Sequence, residues 1–393
     1  MLFHGIRNVI PAAIRNQSVL TCFRTTSSFF TDDSVLINEG QYNATIIINR
    51  PKILNALNLE MIRKITETLR RFENTKSFVI IKGAGERSFC VGGDVPDLIK
   101  NDVERSRASF RDSYALLSFI SKSKIPNIAL INGMTMGGGL GVAVHGKYRV
   151  ATERTMMAMP EAAIGLFPDA GSSYFLNRLN GKLGLYLGMT GTRLLAEDVA
   201  RVGLATHYCE STQITNLEAE LVKATNVNEV DKILNSFSLK VPKEAGIHSL
   251  MNKINMCFNG TTVEEIFKNL EKDGSEWALK TLSTLKSKSP LSLKMTLKQF
   301  QLGADKPLDE CLKRKNHHVS PPKIESFLHE CLRMEYRLAF RRLNDFDFRE
   351  GVRALLIDKD NKPQWNPPSL DAVVDDQVLK YFDKLAERDE LKI

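Results

Sequence analysis

The first half of the chain alternates short apolar runs with longer amphipathic stretches. Residues 34–49 contain two β-branched runs on either side of a turn with Gly40 and Asn43, which predicts a hairpin. From Leu59 to Phe72 the apolar residues recur at the spacing of one helix face. The chain therefore begins its folded part with two strands and an amphipathic helix.

Downstream, apolar runs that end in glycine are each followed by a new element. Predicted strands lie at 77–85, 127–133 and 147–153, and predicted helices lie between Asp94 and about Ile120, at 137–146 and within 171–191. A repeat of strand, glycine turn and helix with short loops predicts an α/β fold that places backbone N–H groups at helix N-termini.

Beyond about residue 212 the glycine turns become sparse and helical patterns dominate. We therefore divide the folded part into a core at 32–225 and a mainly helical C-terminal region at 226–393. The strand–helix repeat is confined to the first of these regions, so candidate chemistry is sought there first.

One segment of the C-terminal region looks inserted. Asp309–Leu312 reads DECL, and His329–Leu332 repeats this as HECL after a basic stretch with two prolines. We predict an irregular loop at about 313–332 that interrupts one helix from Leu308 to Leu343. The His317–His318 pair in it lacks an acid or cysteine at a familiar ligand spacing, which favours a solvated loop over a metal site.

The first 31 residues differ in composition from the rest. They contain Arg7, Arg15 and Arg24, many serines and threonines, and no acid. This composition is typical of a mitochondrial transit peptide and is favoured over a secretory signal or a merely basic tail. These arginines supply three of the eight net positive charges. The remaining charge is mild and dispersed, so we expect no nucleic-acid partner.

Cysteine spacing and hydropathy exclude two further classes of protein. The six cysteines form no CxxC and no Cys/His cluster, which indicates free thiols and no metal. Residues 125–144 carry no charge, but Pro126 and five glycines favour a buried strand, turn and helix over a membrane span. GVAVHGKY at 141–148 lacks the hydroxyl of a phosphate-binding loop, which disfavours nucleotide hydrolysis.

Two glycine turns and two acids are the candidate chemistry. Gly92–Gly93 and Gly137–Gly139 each follow a buried run and precede a helix, so their N–H groups could stabilise an oxyanion. Glu161 follows an apolar run that is expected to raise its pKa, and Asp169 lies in an FPDAG turn. The alternatives are structural glycine turns, a carboxylate at a helix start, and a helix N-cap.

FCVGGDV, NGMTMGGGLGVAVHG and MPEAAIGLFPDAG resemble the crotonase (enoyl-CoA hydratase/isomerase) superfamily. The resemblance implies a spiral of ββα repeats, followed here by the α-helical C-terminal region. It also implies an acyl-CoA substrate whose thioester oxygen is held by the N–H groups of Gly93 and Gly138. The CoA belongs to the substrate, and no metal or other cofactor and no membrane are expected.

One departure separates the chain from hydratases of this superfamily. They carry a catalytic Glu three residues after the second oxyanion glycine, where this chain has Gly141; their other Glu matches Glu161, and Asp169 is additional. GLATHY, DGSEWAL, MEYRL and EGVRALLIDKDNKPQW further resemble its 3-hydroxyisobutyryl-CoA hydrolases, which act in mitochondrial valine breakdown. This implies hydrolysis of a β-hydroxyacyl-CoA thioester in the mitochondrial matrix.

The same resemblance implies roles for individual residues. Glu161 would be the nucleophile or the general base for water, and Asp169 would orient the substrate hydroxyl or water or protonate the leaving group. Ser113 stands in the substrate pocket where these hydrolases have Glu. An enoyl-CoA hydratase or isomerase, or a non-catalytic relative associated with mitochondrial ribosomes, remains the alternative.

Overall fold

The predicted hairpin forms one edge of the larger of two β-sheets. The computed structural model describes residues 33–242, 246–304 and 324–393, and 34–393 form one compact unit. The strands are β1 (Val35–Glu39), β2 (Asn43–Ile48), β3 (Phe78–Gly83), β4 (Ser88–Cys90), β5 (Asn127–Ile131), β6 (Met134–Met136), β7 (Tyr148–Ala151), β8 (Met156–Ala158), β9 (Leu194–Leu195) and β10 (His207–Tyr208).

Helices follow the strands and account for most of the C-terminal half. They are α1 (Leu59–Phe72), α2 (Val95–Lys100), α3 (Val103–Lys122), α4 (Gly138–Val144), α5 (Ser172–Phe175), α6 (Leu183–Thr190), α7 (Glu197–Arg201), α8 (Ile214–Lys223), α9 (Val227–Phe237), α10 (Met251–Cys257), α11 (Val263–Asp273), α12 (Glu276–Lys286), α13 (Pro290–Ala304), α14 (Ile324–Arg342), α15 (Phe346–Val352) and α16 (Asp375–Lys380).

The consecutive strand pairs β3–β4, β5–β6 and β7–β8 each contribute one strand to each sheet, whereas β1 and β2 both belong to the larger sheet. The larger sheet has the order β1-β2-β3-β5-β7-β10 and is parallel except for the β1–β2 hairpin. The smaller has the order β4-β6-β8-β9, with β4, β6 and β8 parallel. This confirms the predicted spiral of ββα repeats. The smaller sheet was not predicted, because its strands of two or three residues are too short to show a periodic pattern.

The larger sheet is covered on both faces, which explains its nearly continuous apolar strands. In β3, Val79 and Ile81 face the main core, whereas Phe78 and Ile80 face a second cluster that includes side chains of α8 and α9. The main core contains residues from Val35 to Leu391, so the C-terminal helices share the core of the N-terminal strands.

Part of the predicted insertion is wrong. Helix α14 begins at Ile324, so residues 324–332 are helical and not an irregular loop. Leu328 and Leu332 are buried, and His329 forms a 3.1 Å hydrogen bond with Ser118 on α3. Side chains spaced four residues apart on one helix face explain this packing. The rest of the predicted loop, with its histidine pair, and the predicted transit peptide at 1–31 lie outside the described residues.

No helix in the described part of the chain is long and apolar enough to span a membrane. The uncharged stretch at 125–144 instead forms β5, β6 and α4, as its glycines and Pro126 predict.

Candidate active site

The predicted site residues line one cavity of about 870 Å³. Its walls include Gly93, Ser113, Gly138, Glu161 and Asp169, which come from four different segments of the chain. The structure therefore brings together every residue that the sequence singled out for catalysis or substrate binding.

The two glycine turns meet because the strands before them pair. Strand β4 pairs with β6 in parallel, with Ser88 opposite Met134, so both strands end at the same edge of the small sheet. Gly92 has a φ of +89°, and a β-carbon there would come within 3.0 Å of the Gly138 nitrogen. Glycine at this position permits both the backbone conformation and the close approach of the turns.

Two N–H groups at these turns are left for a ligand. Leu57 N–H donates to Gly92 O, and Asp94 N–H donates to Leu57 O, both at 2.8 Å, which leaves the intervening Gly93 N–H without a backbone acceptor among the described residues. Gly138 is the first residue of α4, where an N–H has no acceptor within the helix. Two such donors beside one cavity can hold one oxyanion.

Glu161 lies against the second glycine turn. It opens a 3₁₀ turn (Glu161–Ile164) that is separated from the end of β8 by two residues, and it is only 7% exposed. Its Oε2 is buried without a hydrogen-bond partner in the described structure, and Oε1 lies 2.5 Å from where a β-carbon on Gly137 would stand. Burial, reinforced by the charge of Asp169, raises the pKa of Glu161 well above its ordinary value.

Asp169 faces Glu161 from the next turn. Burial raises its pKa to about 7, opposed by hydrogen bonds that include one from Tyr114 at 3.4 Å. Because both carboxyl groups have raised pKa values, the pair carries fewer than two negative charges near neutral pH. A pair that shares a proton can supply a base to one reacting group and an acid to another.

Gly141 leaves no room for the additional acid of hydratases. A β-carbon there would come 2.9 Å from the Ala170 β-carbon and 3.0 Å from Leu117 Cδ1. A Glu side chain would therefore require one of these neighbours to move.

Ser113 and Asp112 face different surroundings. Ser113 is partly exposed and lines the cavity. Asp112 is not part of the cavity wall and accepts hydrogen bonds from Arg63 Nε at 2.8 Å and Arg111 Nε at 3.3 Å. Asp112 therefore forms ion pairs outside the cavity, and of these two residues only Ser113 lines the cavity.

Three residues near the site were missed by the sequence reasoning. Tyr114 on α3 is 1% exposed and donates to Asp169. His145 contacts the carbonyl of Ala170, and Glu335 on α14 contacts the backbone of the following turn. For Glu335, the sequence offers one signal, namely a single acidic residue among the apolar residues on the buried face of α14. Within the described ranges, no group of three or more His, Cys, Asp or Glu residues is placed to hold a metal ion.

Replacing Asp169 with asparagine is expected to raise stability at pH 8 but not at pH 4. A carboxyl whose pKa rises on folding favours the native state at low pH and loses that contribution as pH rises from 3.8 to about 7. The variant lacks this loss, so its free energy of unfolding should exceed that of the wild type at pH 8 by up to about 4 kcal/mol, at about 1.4 kcal/mol for each pKa unit. Urea unfolding at both pH values measures the difference, and a gap that widens toward acid would contradict the assignment.

Comparison with known proteins assigns this chain to a known family. A family model described as Enoyl-CoA hydratase/isomerase matches residues 43–321 and 322–382. Relatives named mitochondrial 3-hydroxyisobutyryl-CoA hydrolase share 44% identity over 95% of both chains in Xenopus laevis, and 45% over 90% of this chain and 91% of the relative in Danio rerio. A solved carnitinyl-CoA dehydratase from Mycobacterium thermoresistibile superposes with a TM-score of 0.81 at 31% identity, covering 92% of this chain and 99% of its own. The chain belongs to the enoyl-CoA hydratase/isomerase family.

Proposed function

We propose that the protein hydrolyses a β-hydroxyacyl-CoA thioester, with 3-hydroxyisobutyryl-CoA as its substrate. The relatives at 44% and 45% identity carry the name of this activity and match nearly the whole chain. Their names also include mitochondrial, which agrees with the composition of residues 1–31. These similarities support a role in valine catabolism in the mitochondrial matrix.

One structural observation supports the proposal most strongly. Two N–H donors and two carboxyl groups with raised pKa values face one cavity, while Gly141 excludes the further acid that hydratases use. Hydrolysis needs an oxyanion site, a group that activates or replaces water, and an acid for the leaving thiolate. The cavity contains a residue for each of these tasks.

The proposed reaction uses water as the co-substrate. In one route, Glu161 takes a proton from water while the water oxygen attacks the thioester carbon. In the other, a Glu161 oxygen attacks that carbon, and water then opens the resulting anhydride. In both, Gly93 and Gly138 N–H groups hold the carbonyl oxygen, the carbon–sulfur bond breaks, and the departing sulfur gains a proton from the acid pair. No metal or organic cofactor is part of this chemistry.

Thiol release from a panel of acyl-CoA esters tests the proposal. The panel contains 3-hydroxyisobutyryl-CoA, isobutyryl-CoA, acetyl-CoA and methacrylyl-CoA, with loss of the conjugated double bond followed in parallel for the last. We expect 3-hydroxyisobutyryl-CoA to give the highest kcat/KM for thiol release. Faster hydration of methacrylyl-CoA than thiol release from any ester would favour a hydratase instead.

Replacing Ser113 with Glu is expected to increase selectivity for the hydroxylated acyl group. A carboxylate accepting the substrate hydroxyl contributes a charge-assisted hydrogen bond of roughly 1.5–3 kcal/mol, which corresponds to roughly a tenfold or larger change. The ratio of kcat/KM for 3-hydroxyisobutyryl-CoA to that for isobutyryl-CoA measures the effect. Ser113→Gln, of the same length but uncharged, is the matched control. An unchanged ratio would mean that Asp169 already binds the hydroxyl.

A further inference from the structure

A fully buried carboxyl group, whose pKa burial raises to about 8, lies behind the turn that carries Asp169. Glu335 on α14 is 0% exposed and is not part of the cavity wall. Its Oε2 accepts from Gly171 N–H at 2.6 Å, and its Oε1 accepts from Ser173 N–H at 3.0 Å and Ser173 Oγ at 2.6 Å. Gln299 Nε2 adds a fourth contact at 3.3 Å. A helix far away in sequence thus holds the backbone immediately after Asp169.

The backbone that it holds has an unfavourable conformation. Ala170 has a φ of +57° and Gly171 a φ of +83°, so two successive residues are left-handed and one of them carries a β-carbon. Such a conformation persists only where surrounding contacts impose it. His145 supplies a second contact, since its Nε2–H donates to Ala170 O at 3.0 Å. Burial lowers the pKa of His145 to about 4, so the ring is neutral at physiological pH.

In the described structure the Asp169 carboxyl group is otherwise held by a hydrogen bond from its own backbone N–H and by one from Tyr114. Its contact from Tyr114 is long, at 3.4 Å. The backbone carbonyl of Asp169 accepts from Ser172 N–H at 2.9 Å, within the segment that Glu335 holds. The position of the carboxyl group relative to Glu161 therefore depends on the shape of this turn.

We propose that Glu335 is a positioning residue, which acts on the reaction through the turn at 169–173 and thereby sets the place of the Asp169 carboxyl group. The expected effect of Glu335 on kcat rests on the proposed function. The expected effect of Glu335 on the conformation of the turn does not depend on it. Gly171 and Ser173 amides should exchange slowly in the wild type and faster once Glu335 cannot accept from both.

Glu335→Gln and Glu335→Asp test the inference together. Glutamine replaces one acceptor oxygen with a donor, and aspartate keeps the carboxyl group but shortens the side chain. We expect both to lower kcat by roughly 10- to 100-fold with KM nearly unchanged, because small displacements of catalytic groups have effects of this size. A normal kcat for Glu335→Asp beside a low kcat for Glu335→Gln would show that a carboxyl group is needed but its contacts with the turn are not, which overturns the proposal.

A double variant separates positioning from a general loss of structure. If Glu335 acts through Asp169, adding Glu335→Gln to Asp169→Asn should cause no further loss of kcat, whereas independent effects would multiply. Asn43→Ala, which removes hydrogen bonds to Val222 O and Ala224 O, is the stability control. It should lower Tm and leave kcat unchanged.

Amide exchange at Gly171 and Ser173 keeps the two proposals distinguishable. A wild type without thioesterase activity would contradict the proposed function, and exchange would still test the inference. Exchange at both amides should rise at least tenfold in Glu335→Gln or Glu335→Asp, with the Val79 amide in β3 unchanged. Unaltered exchange at Gly171 and Ser173 in a folded variant, or a multiplicative loss in the double variant, would overturn the positioning role. If neither Glu335 variant folds, Ser173→Ala, which removes one donor, should still accelerate exchange at Gly171, and no acceleration would overturn it.

Discussion

Replacing Glu161 with glutamine is expected to lower kcat by roughly 10²–10⁴-fold while the protein stays folded. Glutamine has nearly the same shape but can neither accept a proton nor attack a thioester carbon. Glu161 is buried against the second glycine turn, and its Oε2 has no hydrogen-bond partner in the described structure. Steady-state thiol release from 3-hydroxyisobutyryl-CoA measures the loss.

Glu220→Gln is the matched control for this substitution. Glu220 lies on α8 at the protein surface and pairs only with Lys223 in the described structure, so its replacement should leave kcat unchanged. A Glu161→Gln enzyme that retains more than about a tenth of wild-type kcat would exclude Glu161 as nucleophile or general base, since the expected loss is at least tenfold larger.

Replacing Gly138 with proline is expected to lower kcat by roughly 10²–10³-fold. Proline removes the N–H that we assign to the thioester oxyanion. The first position of a helix tolerates proline, because an N–H there has no acceptor within the helix, so the fold should be preserved. Circular dichroism checks folding, and thiol release measures the effect.

Gly138→Ala separates loss of the donor from the added side chain. A β-carbon at Gly138 would lie 3.7 Å from Gly92 Cα and 3.8 Å from Gly93 N, which are ordinary contact distances. The alanine variant keeps the N–H and should stay within about tenfold of wild type, well short of the proline variant. Equal losses in the two variants would indicate that bulk at this turn, and not the missing N–H, slows the reaction.

Much of the larger sheet and its first helix follows from local pattern. The hairpin and α1 are confirmed because their apolar positions face the core at regular spacing, and Asn58 caps α1 by accepting from Met61 N–H. The smaller sheet escaped prediction because its pairing joins short segments far apart in sequence. The error at 324–332 has a different cause. The similarity of DECL and HECL suggested an insertion that ends at Leu332. However, Leu328, Leu332 and Tyr336 are spaced four residues apart and form one buried face of α14, so the helix begins before that point.

The location of the candidate site was predictable where residue type and motif were enough. The glycine turns and the two acids can be identified from their local sequence motifs, and they line one cavity in the structure. The contacts of Glu335 and His145 with the Asp169 turn were not predictable. They depend on a backbone conformation and on long-range packing between α14 and the turn, which no local pattern encodes.

Mass spectrometry of products formed in ¹⁸O-labelled water tests the central claim most directly. Over many turnovers, hydrolysis of 3-hydroxyisobutyryl-CoA should release free CoA and place one ¹⁸O atom in the carboxylate of the acid, whether water attacks the thioester carbon directly or opens the Glu161 anhydride. A hydratase would leave the thioester intact and place the label on the β-carbon through reversible loss and addition of water. Label in the carboxylate with release of CoA is the result that we predict; an intact thioester, labelled at the β-hydroxyl or unchanged, would contradict it.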